Sequence, residues 1–358
     1  MIQNQTTLHR STIIQGNQCF NSCLGALDLS SYSGIFIVSQ DVIWSFYGQQ
    51  LLAALGNGYG EVKHLQLPDG EAIKSIASFE MVHQWLANSR ADRKSLLMVL
   101  GGGVVGDLCG FVAATYMRGI DWVYFPTTLL AQQDASVGGK VAVNLPQGKN
   151  LVGRFWDPRA VIIDISVLKT LPIRQSNSGY MELLKHGMLS GDELLQDILS
   201  IPEMPADWLA YGEILWRGLA VKIDVVREDP YENNQRRLLN LGHTFGHALE
   251  SAFAYEGLLH GEAVGVGLLF SVALARHLDP SSFWPSLESA ILPRLPQLDL
   301  PKWDREQLLD LTRMDKKGIA GDVSWIVPNR PGNVSIRNGI DLDTLRKAYE
   351  DTLNLLSR

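Results

Sequence analysis

Cysteine is scarce in this chain: Cys19, Cys23 and Cys109 are the only three among 358 residues. That count excludes a disulfide framework, and Cys19 and Cys23 lack the second pair that a structural zinc cluster needs. Reduced thiols in a cytoplasmic protein are the expectation. An excess of basic charge is also missing, because 38 acidic residues face 31 basic ones for a net charge of −7. General nucleic-acid binding is therefore not expected, and any anionic ligand must meet a local basic pocket. No long hydrophobic run occurs. The longest, Ala263 to Ala275, lies between Glu262 and Arg276 and is too short to span a bilayer, so it reads as a buried helix and no membrane partner is expected. The opening Met1-Ile-Gln-Asn-Gln-Thr-Thr has no basic region followed by an apolar core, so no secretory signal is read there. Internal repeats and low-complexity linkers are absent too.

What is present is enough apolar sequence, 46%, to bury a large core, in a chain longer than one core comfortably fills. Two domains are expected, 1–170 and 171–358. In the first, apolar runs at Gly34–Val38, Ser95–Leu100, Trp122–Phe125 and Ala160–Asp164 alternate with helical patterns at Val42–Leu55, Ile73–Ala87 and Leu108–Tyr116. Strands apolar throughout and separated by helices predict an α/β domain with a mostly parallel, Rossmann-like sheet covered on both faces. Beyond Leu171-Pro172 the pattern turns mainly α-helical, with helices expected at Ser178–Met188, Trp208–Glu228, Arg236–Phe253, Gly261–His277 and Arg305–Met314. A short strand at Val323–Val327 is expected to end the domain. A catalytic cleft between two such domains is expected.

The densest chemistry lies in Arg236-Arg-Leu-Leu-Asn240-Leu-Gly-His243-Thr-Phe-Gly-His247, followed by His260 in Leu-His-Gly-Glu262. On one continuous helix Arg236, Asn240, His243 and His247 fall within about 60° of one another. A single histidine on such a face is more often a satisfied core residue. Three histidines with a carboxylate favour a metal site instead. That carboxylate is Glu182 of Gly179-Tyr-Met-Glu-Leu-Leu-Lys185, where Glu182 and Lys185 are i,i+3 neighbours among apolar residues and must be partnered if buried.

On the nucleotide side, the strand ending at Leu100 runs into Gly101-Gly-Gly103-Val104-Val105-Gly106-Asp107. Glycines there let backbone approach a pyrophosphate at a helix N-terminus. The motif does not follow the chain's first strand, which disfavours a simple Rossmann dehydrogenase. Pro68-Asp69-Gly-Glu71-Ala-Ile-Lys74 and Pro126-Thr127-Thr128 offer turn and cap chemistry that also suits phosphate. The stretch from Asp134 through Gly138-Gly139-Lys140 to Asn144 and Gly148-Lys149-Asn150 reads as a loop wrapping a polyanion, with a solvated hairpin as the plainer reading.

Taken in order from Pro68 to Val327, PDGEAIK, GGGVVGD, the run ending in Arg118-Gly, PTT, DASVGGK, QGKN, MELLKHG, NLGHTFGH, LHGEA and MDKKG resemble the 3-dehydroquinate synthases. These belong to the sugar-phosphate cyclases, distantly related to metal-dependent glycerol dehydrogenases. The first 60 residues match only loosely. The resemblance implies an NAD- and metal-dependent lyase of the shikimate pathway, making 3-dehydroquinate and phosphate from 3-deoxy-D-arabino-heptulosonate 7-phosphate. In that chemistry NAD takes hydride from the C5 hydroxyl, phosphate leaves, the hydride returns, and an intramolecular aldol step closes the ring.

The same resemblance assigns Glu182, His243 and His260 to a metal, zinc and possibly cobalt, with His247 as a non-ligand near the leaving phosphate. It assigns substrate contacts to Lys140, Lys185, Lys222, Arg236 and one of Lys316 or Lys317, ordered by Asp134, Asn150 and Asn240. Arg118 would reach a neighbouring subunit's substrate, which implies a homodimer. Nucleotide contacts fall on Asp69, Glu71, Lys74, Gly103, Val104, Val105, Gly106, Asp107, Thr127, Thr128, Lys140, Lys149, Lys169 and Thr170. Tyr180, Met181 and Arg154-Phe155-Trp156 stand where the family is commonly smaller or less charged, which bears on the exact substrate. A sister cyclase acting on another sugar phosphate, and a metal-dependent polyol dehydrogenase, are the alternatives.

Overall fold

The computed structural model of the chain describes residues 1–56, 62–253, 257–282, 284, 287–297, 305–314 and 323–357. They form two compact units. The first holds Met1–Leu171 with Asp207–Gly212, the second Pro172–Ala206 with Glu213–Arg358.

The first unit runs β1 (Ile2–Leu8), β2 (Ser11–Gly16), α1 (Phe20–Leu24), β3 (Ile35–Gln40), α2 (Asp41–Leu55), β4 (Val62–Leu67), α3 (Ile76–Asn88), β5 (Leu96–Gly101), α4 (Gly103–Thr115), β6 (Asp121–Pro126), β7 (Lys140–Leu145), β8 (Gly148–Phe155) and β9 (Ala160–Asp164). Seven strands make one sheet in the order β1-β2-β9-β6-β5-β3-β4, parallel except for the β1–β2 hairpin at one edge. Strand β5 shows why its run is apolar throughout. Leu97 and Val99 pack with α3 and α4 on one face, while Leu96, Met98 and Leu100 pack with α1 and α2 on the other. Chain order reverses between neighbours β3 and β5, and open α/β sheets bind ligands beyond the carboxyl ends of the strands at such a point. The glycine run follows β5 directly.

Two expectations need correction here, and three strands carry no expectation. The Asp134–Asn150 segment is not a loop. Ala131–Ala135 is a π-helical turn, and β7–β8 is an antiparallel hairpin, the plainer of the two readings, whose Val141 and Val143 pack under α4. Strands β1, β2 and β4 carry too few consecutive apolar residues to stand out as buried strands; β1 alternates exposed and half-buried positions as sheet edges do. The helix after the glycine run starts at Gly103, not Leu108.

The second unit runs α5 (Ile173–Ser190), α6 (Asp192–Leu199), α7 (Gly212–Glu228), α8 (His243–Ala252), α9 (His260–Leu278), α10 (Glu288–Ile291), α11 (Arg305–Met314), β10 (Trp325–Arg330), β11 (Asn333–Arg337) and α12 (Leu342–Leu356). Its core gathers α8, α9, α11, β10 and α12 around Phe245, Phe270, Trp325 and Tyr349, with the first two rings stacked at 4.3 Å. Helix α9 is long and apolar enough to cross a membrane by composition alone, but 83% of its apolar window is buried inside this unit. Val323–Val327 does not end the domain. Strand β10 pairs antiparallel with β11, and Asp341 then caps α12 by accepting from Thr344 N.

The expected continuous helix Arg236–Phe253 is also broken. Gln235–Asn240 is a 3-10 turn, Gly242 takes φ +80° in the left-handed region, and α8 begins only at His243. The cause is packing against α9: a Cβ on Gly242 would lie 3.0–3.1 Å from Leu268 and Val264, and one on Gly267 only 1.9 Å from the Gly242 carbonyl oxygen. Glycine lets the chain turn and the helices touch there.

Candidate active site

Helices α5, α8 and α9 each deliver one side chain to a common point in the second unit. From α5 comes Glu182, fully buried, and the adjacent Lys185 ammonium pairs with its Oε2. From the start of α8 comes His243, whose Nδ1 lies 3.1 Å from the Leu241 carbonyl oxygen. An Nδ1–H donated to that carbonyl leaves the lone pair on Nε2, which faces Glu182 Oε1 at 3.4 Å. From the start of α9 comes His260, whose Nε2 lies 3.4 Å from the same oxygen. Among the described residues, neither Glu182 oxygen has a hydrogen-bond donor of good geometry.

Those separations are those of a metal cradle. Ligands about 2.0–2.1 Å from a tetrahedral zinc ion stand ~3.3–3.4 Å from each other along each edge. The donor atoms of Glu182, His243 and His260 all lie within 4.8 Å of one another. Burial alone would push the Glu182 carboxyl up, yet the Lys185 ammonium and the two imidazoles hold it well below its usual range. Burial, reinforced by Lys185 and the neighbouring imidazoles, lowers His243 to about 3, so it is neutral with a lone pair to give. His260 is pulled the other way. Against the effect of burial, the Glu182 and Glu250 carboxylates raise it to about 10. About a third of its side chain is exposed, so solvent moderates that pull.

Close helix contacts hold the cluster. A Cβ on Gly261 would sit 1.9 Å from the Ser178 carbonyl oxygen, so only glycine lets α9 approach α5 here. The next turn is clamped by Glu262, whose carboxylate takes both Nε and Nη2 of Arg174 at 2.6 and 2.8 Å and accepts the Leu259 N–H at 2.7 Å. Tyr180 and Met181 face other elements. The Tyr180 hydroxyl donates to Ile198 under the Arg294 guanidinium, and Met181 packs against Gly265 of α9. Their larger side chains are core packing.

His247 completes a triangle of imidazoles, its ring 5.5 Å from His243 and 6.1 Å from His260. Arg236 and Asn240 sit on the 3-10 turn that precedes α8 rather than on a shared helix. Asp229 organises that turn by accepting the backbone N–H groups of Asn233, Asn234 and Arg236 at 2.9, 2.6 and 3.1 Å. Within the turn, Asn240 donates to Glu232 at 2.6 Å and Arg236 donates to the Pro230 carbonyl. Lys222 is buried on α7. Lys316 and Lys317 lie outside the described residues.

In the first unit the glycine run sits at the carboxyl end of β5. Gly106 lets α4 approach β6, since a Cβ there would lie 2.5 Å from Tyr124, whose hydroxyl donates to Gly102 at 2.8 Å. The first turn of α4, Gly103–Val105, therefore presents backbone N–H groups that the helix itself does not use, the first intrahelical bond running from Gly106 to the Gly102 carbonyl at 3.0 Å. Beside it the buried Lys74 ammonium contacts both Asp107 and Asn150, Asn144 donates to Glu71 at 2.7 Å, and Gln40 donates to Asp69 at 2.6 Å. Thr127 is buried, and Thr128 caps the following turn through Ala131 N at 3.1 Å. Thr170 bonds the Tyr47 hydroxyl at 2.6 Å. Lys140, Lys169 and Arg118 are exposed, whereas Asp134 and Lys149 are half-buried. Arg154 and Arg10 stack on the Trp156 ring at 5.5 and 5.1 Å, which accounts for that departure as local packing.

Two charged positions that the motifs did not flag are Glu250 and Asp229. Glu250 stands seven residues after His243 and so on the same face of α8, a spacing legible in the sequence.

Residues 64–178 match the family described as 3-dehydroquinate synthase N-terminal, and residues 179–318 the one described as 3-dehydroquinate synthase C-terminal. The chain is 41% identical over 319 residues to the 3-dehydroquinate synthase of Colwellia psychrerythraea, covering 87% of this chain and 89% of that one. It is 38% identical over 333 residues to that of Pelotomaculum thermopropionicum, covering 90% and 89%. Its fold resembles a 2-deoxy-scyllo-inosose synthase solved with carbaglucose-6-phosphate, NAD+ and Co2+, with TM-score 0.84, 23% identity and coverage of 97% and 99%. It also resembles a 2-epi-5-epi-valiolone synthase from Streptomyces hygroscopicus solved with NAD+ and Zn2+, with TM-score 0.83, 23% identity and coverage of 99% and 98%.

Proposed function

The chain belongs to the 3-dehydroquinate synthase family, and from that premise we propose that it converts 3-deoxy-D-arabino-heptulosonate 7-phosphate into 3-dehydroquinate and phosphate with NAD and a divalent ion. The observation that carries this reading is the cluster of Glu182, His243 and His260, with both imidazole nitrogens 3.4 Å from one carboxylate oxygen. An acid with two imidazoles is the donor set zinc or cobalt takes while leaving positions for substrate. When bound, NAD supplies reversible hydride acceptance and the ion polarises the reacting hydroxyl.

The chain's own residues do the rest. Lys185, paired with Glu182, faces the substrate's hydroxyls. Arg236, Lys222, Lys140 and one of Lys316 or Lys317 meet the carboxylate and phosphate, which a protein of net charge −7 must bind through such a local set. His247 stands beside the metal ligands as the group placed to move a proton on or off the leaving phosphate. Asn240, Asn150 and Asp134 orient hydroxyls and lysines. On the nucleotide side, backbone N–H groups of Gly103, Val104 and Val105 take the pyrophosphate, with Gly106, Asp107, Asp69, Glu71, Lys74, Thr127, Thr128, Lys149, Lys169 and Thr170 around it. Arg118 serves the site of a second copy in a homodimer.

The test is substrate choice. Incubated with NAD and zinc, the protein is expected to release inorganic phosphate and a carbocyclic product from the heptulosonate, and none from sedoheptulose 7-phosphate or glucose 6-phosphate. Preference for either of the latter would assign it to a sister cyclase. Sustained NADH accumulation would replace the reading with a polyol dehydrogenase.

A further inference from the structure

His243 and His260 are not held alike. The His243 ring is locked by the Leu241 carbonyl at its Nδ1. His260 is the first residue of α9, where no backbone carbonyl is placed under its ring among the described contacts, and its Nδ1 faces Glu250 Oε2 at 3.5 Å. Glu250 lies on α8 at the third position of a stripe with His243 and His247, and it is 3% exposed. A carboxylate taken so far out of water needs a compensating donor.

We propose that Glu250 is the positioning residue for His260: its carboxylate accepts the Nδ1 proton and thereby fixes the tautomer and ring angle that aim Nε2 at Glu182 and His243. This rests on the reading of that trio as metal ligands. The 3.5 Å separation is at the outer edge of hydrogen bonding, and a swing of the ring by about 0.6 Å brings it to an ordinary ~2.9 Å. A ligating imidazole whose other nitrogen donates to a carboxylate is also the more basic ligand. The donors of His247, Glu250 and His260 lie within 4.8 Å of one another as well, which raises a second cation as the rival use of Glu250. Nδ1 of His260 cannot donate a proton and bind a cation together, so the two readings differ in metal stoichiometry.

The experiment is zinc titration of chelator-stripped protein against a chromophoric competitor, with no substrate or NAD present. The wild-type chain should bind one equivalent, and His243→Ala none. Glu250→Gln, which keeps an acceptor but loses the charge, should bind one equivalent several-fold more weakly, and Glu250→Leu about 10–100-fold more weakly. Wild-type affinity in a folded Glu250→Leu, or two tight equivalents in the wild-type chain, overturns the proposal and leaves the ligand trio standing. No zinc binding by the wild-type chain overturns the trio itself. Should Glu250→Leu not fold, the 15N spectrum of histidine-labelled, zinc-loaded wild-type protein decides: Nδ1–H with metal on Nε2 supports it, and metal on Nδ1 of His260 overturns it.

Discussion

His260 brings its Nε2 to 3.4 Å from Glu182 Oε1 because the residue after it, Gly261, has no side chain to collide with the Ser178 carbonyl of α5. The convergence of Glu182, His243 and His260 is thus a consequence of helix packing. Gly261→Ala would place a methyl 1.9 Å from that oxygen, where backbone cannot yield cheaply. The variant is expected to lose about 3 kcal/mol of stability in denaturant unfolding and most of its zinc affinity. Wild-type zinc affinity in that variant would show that α9 can shift without moving His260.

Removing single ligands separates chemistry from stability. Glu182→Gln leaves the Lys185 ammonium buried without its countercharge, so it should cost about 3–5 kcal/mol as well as the metal. His243→Ala should lose metal and phosphate release but far less stability, with NAD binding largely intact by calorimetry. Equal destabilisation by the two would remove the buried ion pair from this account.

Asp229 shapes the turn that carries Arg236, Glu232 and Asn240. Against the cost of burial, the N–H groups of Asn234, Asn233 and Arg236 hold its carboxyl below the ordinary range, so it accepts as an anion. Asp229→Ala should raise KM for the phosphorylated substrate tenfold or more while zinc affinity stays within about twofold, because charge-assisted bonds are worth ~1.5–3 kcal/mol each. A change confined to kcat would place the turn in a different role.

Glu306 of α11 meets Arg346 of α12 and Arg305, and these guanidinium groups lower its carboxyl to about 2. A depressed acid stabilises the fold above its unfolded pKa and loses that contribution as pH falls towards the folded value. Glu306→Gln should therefore melt slightly below wild type at pH 7, with the gap closing between about pH 5 and pH 2. The effect is small because the pair is solvent-exposed. A gap that widens in acid would contradict it.

Legibility followed burial. Strands β3, β5, β6 and β9 are continuous apolar runs because helices cover both faces, and α9 is apolar for the same reason. Strands β1, β4 and β8 are buried on one side at most, and β7 is buried only over Val141–Val143 between polar ends, so their residues look like loop. The break at Gly242 is set by contact with Gly267 of another helix, and no local pattern around Arg236–His247 reports a partner that distant in sequence. The histidines remained legible because imidazole type and spacing survive the break: His243 and His247 still share α8. Glu250 and Asp229 act through other residues and belong to no motif, yet α8 spacing would have found the first. Helix α12 carries a periodic Leu342, Leu345, Tyr349, Leu353 and Leu356 behind the Asp341 cap, a signal as plain as any in the chain.

The most direct test of the central claim is anomalous diffraction at the zinc edge from crystals grown with zinc and NAD. One strong peak is expected, about 2.0–2.2 Å from a Glu182 oxygen and from Nε2 of both His243 and His260. A peak held by other residues, or none at that trio, would contradict the account.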